Sequence, residues 1–168
     1  MNTKKLDPQI KTDLFASNTE QVISAINRIK ERGNKLYLPM LFELLASQPE
    51  EEVEKDIQKL LGTVKSKDSV PYFAEALENK KFKSIRRSVL TACWQNGLDF
   101  ADYLPLFVQI VINEEWETAF EAFTVIENMD RLPEPPIVEQ LTERIDLALK
   151  TATGQNKYFL EEILVKIR

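Results

Sequence analysis

The chain contains no histidine and a single cysteine, Cys93. Without an imidazole there is no Ser-His-Asp or Cys-His nucleophile group and no His-ligated metal site. A lone cysteine gives no internal disulfide and no thiolate cluster for zinc or iron. The groups left to move protons are carboxylates. Glu117 and Glu121, and likewise Glu139 and Glu143, stand four positions apart, so on a helix both carboxylates of a pair share one face. Such a pair does acid/base chemistry when it is buried. Neither pair has a nucleophile or metal ligands beside it, and both fit solvent faces, so surface acids are the expected reading. No glycine-rich phosphate loop is present either. The expectation is a chain with no catalytic residues, no cofactor and no metal.

Charge is the other chemical feature. Lys80, Lys81, Lys83, Arg86 and Arg87 put five positive charges within eight positions, a pattern able to hold phosphates. Directly after it, from Ser88 to Asp130, there is no lysine or arginine, and eight acids give a net charge of −8. Glu50, Glu51, Glu52 and Glu54 form a second acidic cluster. With a net charge of −5 overall, this balance opposes broad nucleic-acid binding. The zones read either as charged turns and helix starts that keep a repeat protein soluble and suit the helix dipole, or as an acidic face that recruits a basic partner steered by the field.

These residues must be positioned by helices. Apolar residues recur at i, i+3, i+4 and i+7, and no period-2 run suggests a strand. Gly33, Gly97 and Gly154 follow helix-period segments, where a helix end favours positive φ. Most prolines stand at helix starts. The spacing predicts helices near 7–16, 19–32, 35–47, 50–65, 69–79, 83–96, 101–113, 116–129, 135–152 and 155–167. The chain length of 168 residues suits one domain. The start has basic residues with no apolar run behind them, and no stretch approaches the ~18 apolar residues of a membrane helix. A cytoplasmic protein with no membrane segment is expected.

A repeat underlies this pattern. Leu38-Pro39-Met40-Leu41, Val70-Pro71-Tyr72-Phe73 and Leu104-Pro105-Leu106-Phe107 align at spacings of 32 and 34. Asp68 and Asp102, three residues before their prolines, read as N-caps. In the second helix of each unit, Val22, Val53, Ile85 and Trp116 align. Ile26, Ile57, Val89 and Phe120 align four residues on, and Ile29, Leu60, Ala92 and Phe123 three further. Each unit is a helical hairpin, and hairpins of fixed period bury their faces by stacking. The expected units lie near 7–33, 35–66, 68–97 and 101–130. The segment 132–168, opened by Leu132-Pro133-Glu134-Pro135-Pro136, reads as a C-terminal helical cap.

The proline-bearing first helix and the V-x-x-x-I/V-x-x-L/A second helix resemble HEAT and HEAT-like repeats, most closely over 70–97, where Ile85-Arg86-Arg87-Ser88-Val89 is similar to the family's valine-arginine segment. Glu54 and Glu117 stand where the family often has arginine. The resemblance implies an all-α, right-handed α-α superhelix of about four stacked hairpins plus the cap. It also implies a scaffold that binds a protein or peptide on the inner face lined by second helices. HEAT-like DNA glycosylases and lyases are the enzymatic alternative, and nucleic-acid binding through 80–87 is another. By helix angle, the inner face falls on Arg87, Leu90, Trp94, Glu117, Glu121 and Val125. These residues form an apolar centre with a charged rim, and Trp94 reads either as a binding hot spot or as a residue packed against a neighbouring second helix or the C-terminal cap. Cys93 belongs to the core side.

Overall fold

Proline and glycine divide the chain into helices where the sequence places them. The computed structural model describes residues 5–33 and 35–168. Among these residues there are ten α-helices and no strand: α1 (Pro8–Leu14), α2 (Thr19–Arg32), α3 (Leu38–Ala46), α4 (Glu51–Leu61), α5 (Val70–Glu78), α6 (Arg86–Asn96), α7 (Leu104–Asn113), α8 (Trp116–Glu127), α9 (Pro135–Leu149) and α10 (Gly154–Ile167). Residues 1–4, where the segment read for a leader begins, lie outside the described residues. No described helix is long and apolar enough to cross a membrane.

Five helices carry proline in their first turn, among them α3, α5 and α7, where a missing N–H breaks no intrahelical bond. A 3-10 turn leads into each of those three, at Lys35–Tyr37, Lys67–Ser69 and Ala101–Tyr103. The repeat is therefore one of local conformation as well as sequence. It also corrects the capping expectation. Asp68 and Asp102 lie inside these turns, and neither α5 nor α7 has a side-chain cap. The turn's own bonds, Ser69 N–H to the Ser66 carbonyl at 3.0 Å and Tyr103 N–H to the Phe100 carbonyl at 2.8 Å, make a capping carboxylate unnecessary. Both aspartates reach cations instead: Asp68 pairs with Lys35 at 3.0 Å and Asp102 with Arg131 at 3.0 Å.

Gly33 and Gly97 close α2 and α6 at φ 58° and 67°, the left-handed conformation that a Cβ disfavours. Gly154 also has positive φ (60°), but it opens α10 rather than closing α9.

The helices pack in two series. Each odd-numbered helix contacts the even-numbered helix that follows it. In addition, α2 packs on α4, α4 on α6, α6 on α8 and α8 on α10. The buried apolar side chains form one continuous cluster from Ile10 to Ile167. An aromatic chain threads it: Phe42 meets Phe73 edge to face at 5.6 Å, Phe73 meets Phe100 at 6.1 Å, and Phe100 meets Phe107 at 5.7 Å. Each such pair adds about 0.5–1.5 kcal/mol beyond the area it buries. At the N-terminal end, Asp13 is 6% exposed. It accepts from Gln21 at 2.7 Å and Gln9 at 2.9 Å and pairs with Arg28. The Gln21 and Arg28 donors hold its carboxyl below the usual range.

In the first three units the aligned second-helix positions are buried, as expected: Val22, Ile26 and Ile29; Val53, Ile57 and Leu60; Ile85, Val89 and Ala92. The fourth unit departs. Trp116 and Phe120 are 47% and 46% exposed, and α8 buries Thr118, Ala119, Ala122, Val125 and Ile126 instead. Small Ala119 and Ala122 fit where α8 packs closely against α7 and α6, whereas the aromatic series does not. Phe123 turns to α10 and stacks on Phe159 at 4.9 Å.

Candidate functional site

Helices α6 and α8 lie side by side, and the burial pattern fixes which face of each remains open. At 100° per residue, burial of Val89, Ala92, Cys93 and Asn96 in α6 leaves Arg87, Thr91 and Trp94 on the other side. Burial of Ala119, Ala122, Val125 and Ile126 in α8 leaves Glu117, Phe120, Glu121 and Thr124 there. The two open faces meet. Trp94 Nε1–H donates to Glu121 Oε2 at 2.7 Å, and the Thr91 hydroxyl donates to the same oxygen at 2.9 Å. A charge-assisted bond of this kind fixes the rotamers of both partners. The other Glu121 oxygen faces no described hydrogen-bond donor.

The structure thus joins Trp94 and Glu121, sets Glu117 half-buried one turn before Glu121, and leaves Arg87 exposed on α6 one turn before Thr91. Two expected members drop out. Leu90 is fully buried and Val125 is 3% exposed. Contacts from α4, α5 and α8 widen the buried arc of α6 enough to enclose Leu90, and Val125 lies on the core side of the corrected α8 register. Trp94 itself is half-buried against the core, so its removal affects packing as well as any partner.

Sequence reasoning missed the exposed aromatics. Trp116 and Phe120 are neighbours one turn apart on α8. Phe120 approaches Phe159 at 5.8 Å, and Tyr158, 55% exposed, lies 6.1 Å from the same ring. Together they continue the open face from α8 onto α10. The available signal was the alanine pair Ala119 and Ala122, which competes with Trp116 and Phe120 for the core side. Two asparagine contacts, of buried Asn96 and half-buried Asn156, were also unforeseen. Asn96 Oδ1 accepts from Leu98 N–H at 3.0 Å, and Asn156 Nδ2 donates to the carbonyls of Val111 and Glu114 at 3.0 and 2.9 Å.

The charge zones are partly neutralised internally. Lys81 pairs with Glu43 at 3.0 Å, and Arg86 pairs with Glu114 where both side chains are mostly covered. Lys80, Lys83 and Arg87 remain exposed. Arg131 clamps Asp99 at 2.5 Å and Asp102 at 3.0 Å. The Ala101 N–H, then Arg131, hold the Asp99 carboxyl below its usual range. Glu115 caps α8 through the Thr118 N–H at 3.2 Å.

Two clefts open at the ends of the second helices. One, of about 250 Å³, lies between the ends of α2 and α4. The other, of about 180 Å³, lies between the ends of α6 and α8 and takes in Trp94, Val125, Met129 and Arg131. Cys93 also lines the second, but burial raises its thiol pKa well above the ordinary value, which keeps it protonated and inert. Among the described residues no three Cys, Asp or Glu side chains group closely enough to hold a metal ion. Glu139 and Glu143 are exposed. The arrangement offers recognition chemistry: aromatic surface, fixed carboxylates and a few free charges.

No protein-family model matches the chain, and no curated protein matches it.

Proposed function

We propose that the chain is a non-catalytic binding module, a HEAT-like stack of hairpins over 1–168 closed by the segment 132–168. On this reading it docks a protein or peptide segment that is basic and partly apolar. Support for the stack comes from the recurring 3-10–proline–helix element and from the succession of second helices packed on one another. The observation that carries the binding reading is the open face of α6 and α8. There Phe120 and Trp116 are exposed beside Glu117 and the Trp94–Glu121 bond, in a segment with no lysine or arginine. Exposed aromatics within a polar rim are the composition of an interaction surface.

The two tryptophans of the chain, Trp94 and Trp116, both belong to this face, so intrinsic fluorescence reports on it. Titration with an amphipathic lysine-leucine peptide is expected to give a saturable change that weakens with salt. Binding should weaken at least about thirtyfold in Phe120→Ala, as a hot spot worth about 2 kcal/mol requires. It should also weaken in Glu117→Lys, with the circular dichroism of both variants unchanged. No saturable change, or binding indifferent to both substitutions, overturns the reading. Saturable, salt-sensitive binding of duplex DNA in place of the peptide overturns it in favour of the basic cluster 80–87.

A further inference from the structure

We propose that the cleft between the ends of α2 and α4 binds a small apolar monocarboxylate, a medium-chain acid with a free head. Its wall is apolar, made by Ile29, Leu38, Leu60 and Val64, and its volume is about 250 Å³. That is below the usual range for drug-sized ligands and suits one short tail with one head group rather than an extended peptide. Lys30, Lys35 and Lys65 also line it, and no carboxylate does. Lys65 Nζ is held 2.7 Å from the Asn96 carbonyl, a neutral group that positions the ammonium without cancelling its charge. Lys35 is paired with Asp68 at 3.0 Å. Lys30 is exposed and has no ion-pair partner among the described residues.

Helix dipoles do not offset this field. The ends of α2 and α4 bring partial negative charge and the starts of α3 and α5 bring partial positive charge to the same place, so the lysines decide its sign. A second observation points to a ligand. Ser69 lines the cleft, is 1% exposed, and its hydroxyl has no hydrogen-bond partner. A buried hydroxyl without an acceptor is destabilising; its oxygen is closed to water, so a carboxylate seated among the lysines becomes its acceptor once the hydroxyl turns into the cleft. The matching cleft between α6 and α8 is lined by Asp99 and Asp130 with Arg131, so the same ligand is repelled there.

The probe is octanoate, titrated into the intact chain and followed by calorimetry and by amide nitrogen–proton correlation spectra. Saturable binding is expected, with shifts concentrated in 29–38 and 60–69. Hexanoate, two methylenes shorter, should bind about fifteenfold more weakly, because each buried methylene contributes about fourfold. Octylamine has the same tail and the opposite charge and should not compete. Lys65→Met and Lys30→Met should each weaken octanoate severalfold. Ser69→Ala should weaken it too while leaving the urea midpoint equal or higher, a combination that a purely structural role for Ser69 does not produce. The proposal is overturned if octylamine binds as tightly as octanoate, if shifts concentrate at the α6/α8 cleft, or if no saturable binding occurs.

Discussion

The cleft between α2 and α4 and the cleft between α6 and α8 occupy matching places in the molecule and carry opposite charge. Each lies where two successive second helices end. Each includes a left-handed glycine closing the first of those helices, Gly33 in one and Gly97 in the other. Their chemistry then diverges. The first is lined by three lysines and an unpartnered hydroxyl, whereas the second is lined by Asp99 and Asp130, with Arg131 clamped onto Asp99. The core positions fix the backbone of both places, and the loop residues are free to set opposite fields on it.

The largest test asks whether the two regions share one core. Phe100 is 1% exposed and touches Phe73 on one side and Phe107 on the other, so it links the part that holds the first cleft to the part that holds the second. Phe100→Ala is expected to cost about 3–5 kcal/mol, read as a drop in the urea midpoint by circular dichroism with a single transition retained. A loss below 1 kcal/mol would mean that the aromatic chain does not join the two regions.

Next in size is the bond that the second region has and the first lacks. Trp94→Phe keeps most of the packing and removes the N–H donor to Glu121. About 1.5–3 kcal/mol of stability should be lost, the range for a hydrogen bond to a charged group. Glu121→Gln should cost less, because the amide oxygen still accepts. Equal losses in the two variants would show that the carboxylate charge matters more than the geometry.

The helices were legible because punctuation and periodicity agree. Prolines at the starts of α3, α5 and α7 and glycines after α2 and α6 bracket runs with a clear buried stripe. The site was only half legible. Trp94 and Glu121 fell on facing positions because α6 keeps the expected register. Leu90 and Val125 did not, because contact with several neighbours widens the buried arc, which the sequence of one helix does not encode. Trp116 and Phe120 misled for a related reason. Apolar character alone marks them as core, and the choice between them and Ala119 and Ala122 is made by how closely α8 approaches α6 and α7. Asp68 and Asp102 carry a cap signature, yet the 3-10 turn that replaces the cap depends on backbone bonds with no side-chain signal.

The glycines sharpen the comparison at the level of backbone. Gly97→Ala forces a Cβ into φ 67° with nothing within 4 Å of it, so the cost is conformational, about 1–2 kcal/mol. Gly62 closes α4, beside the first cleft, at an ordinary φ of −71°. An added Cβ there meets the Gln95 side-chain oxygen at 2.7 Å, the movable end of a flexible chain. Gly62→Ala should therefore be neutral or stabilising by up to about 1 kcal/mol through the unfolded state. Thermal melts that order the two variants the other way would contradict this assignment of strain.

The smallest effect concerns the clamp itself. In the first region Lys35 meets one aspartate; in the second Arg131 meets two, with Asp99 and Arg131 each about half exposed. Removing the guanidinium with Arg131→Met should barely move the midpoint at neutral pH, because exposed pairs contribute little. Its signature lies in titration. The folded pKa of Asp99 is held below its unfolded value, so the stabilisation is present above the unfolded pKa and is lost as pH falls through the folded one. The Ala101 N–H is the larger cause and Arg131 the next. In Arg131→Met the Asp99 carboxyl, followed by carbon NMR, should titrate at higher pH than in the parent chain yet still below an unperturbed aspartate. The acid-side loss of stability should shrink in step. A complete return to the ordinary value would show that the clamp, rather than the backbone N–H, depresses the Asp99 pKa, and no change would show that Arg131 contributes nothing to it.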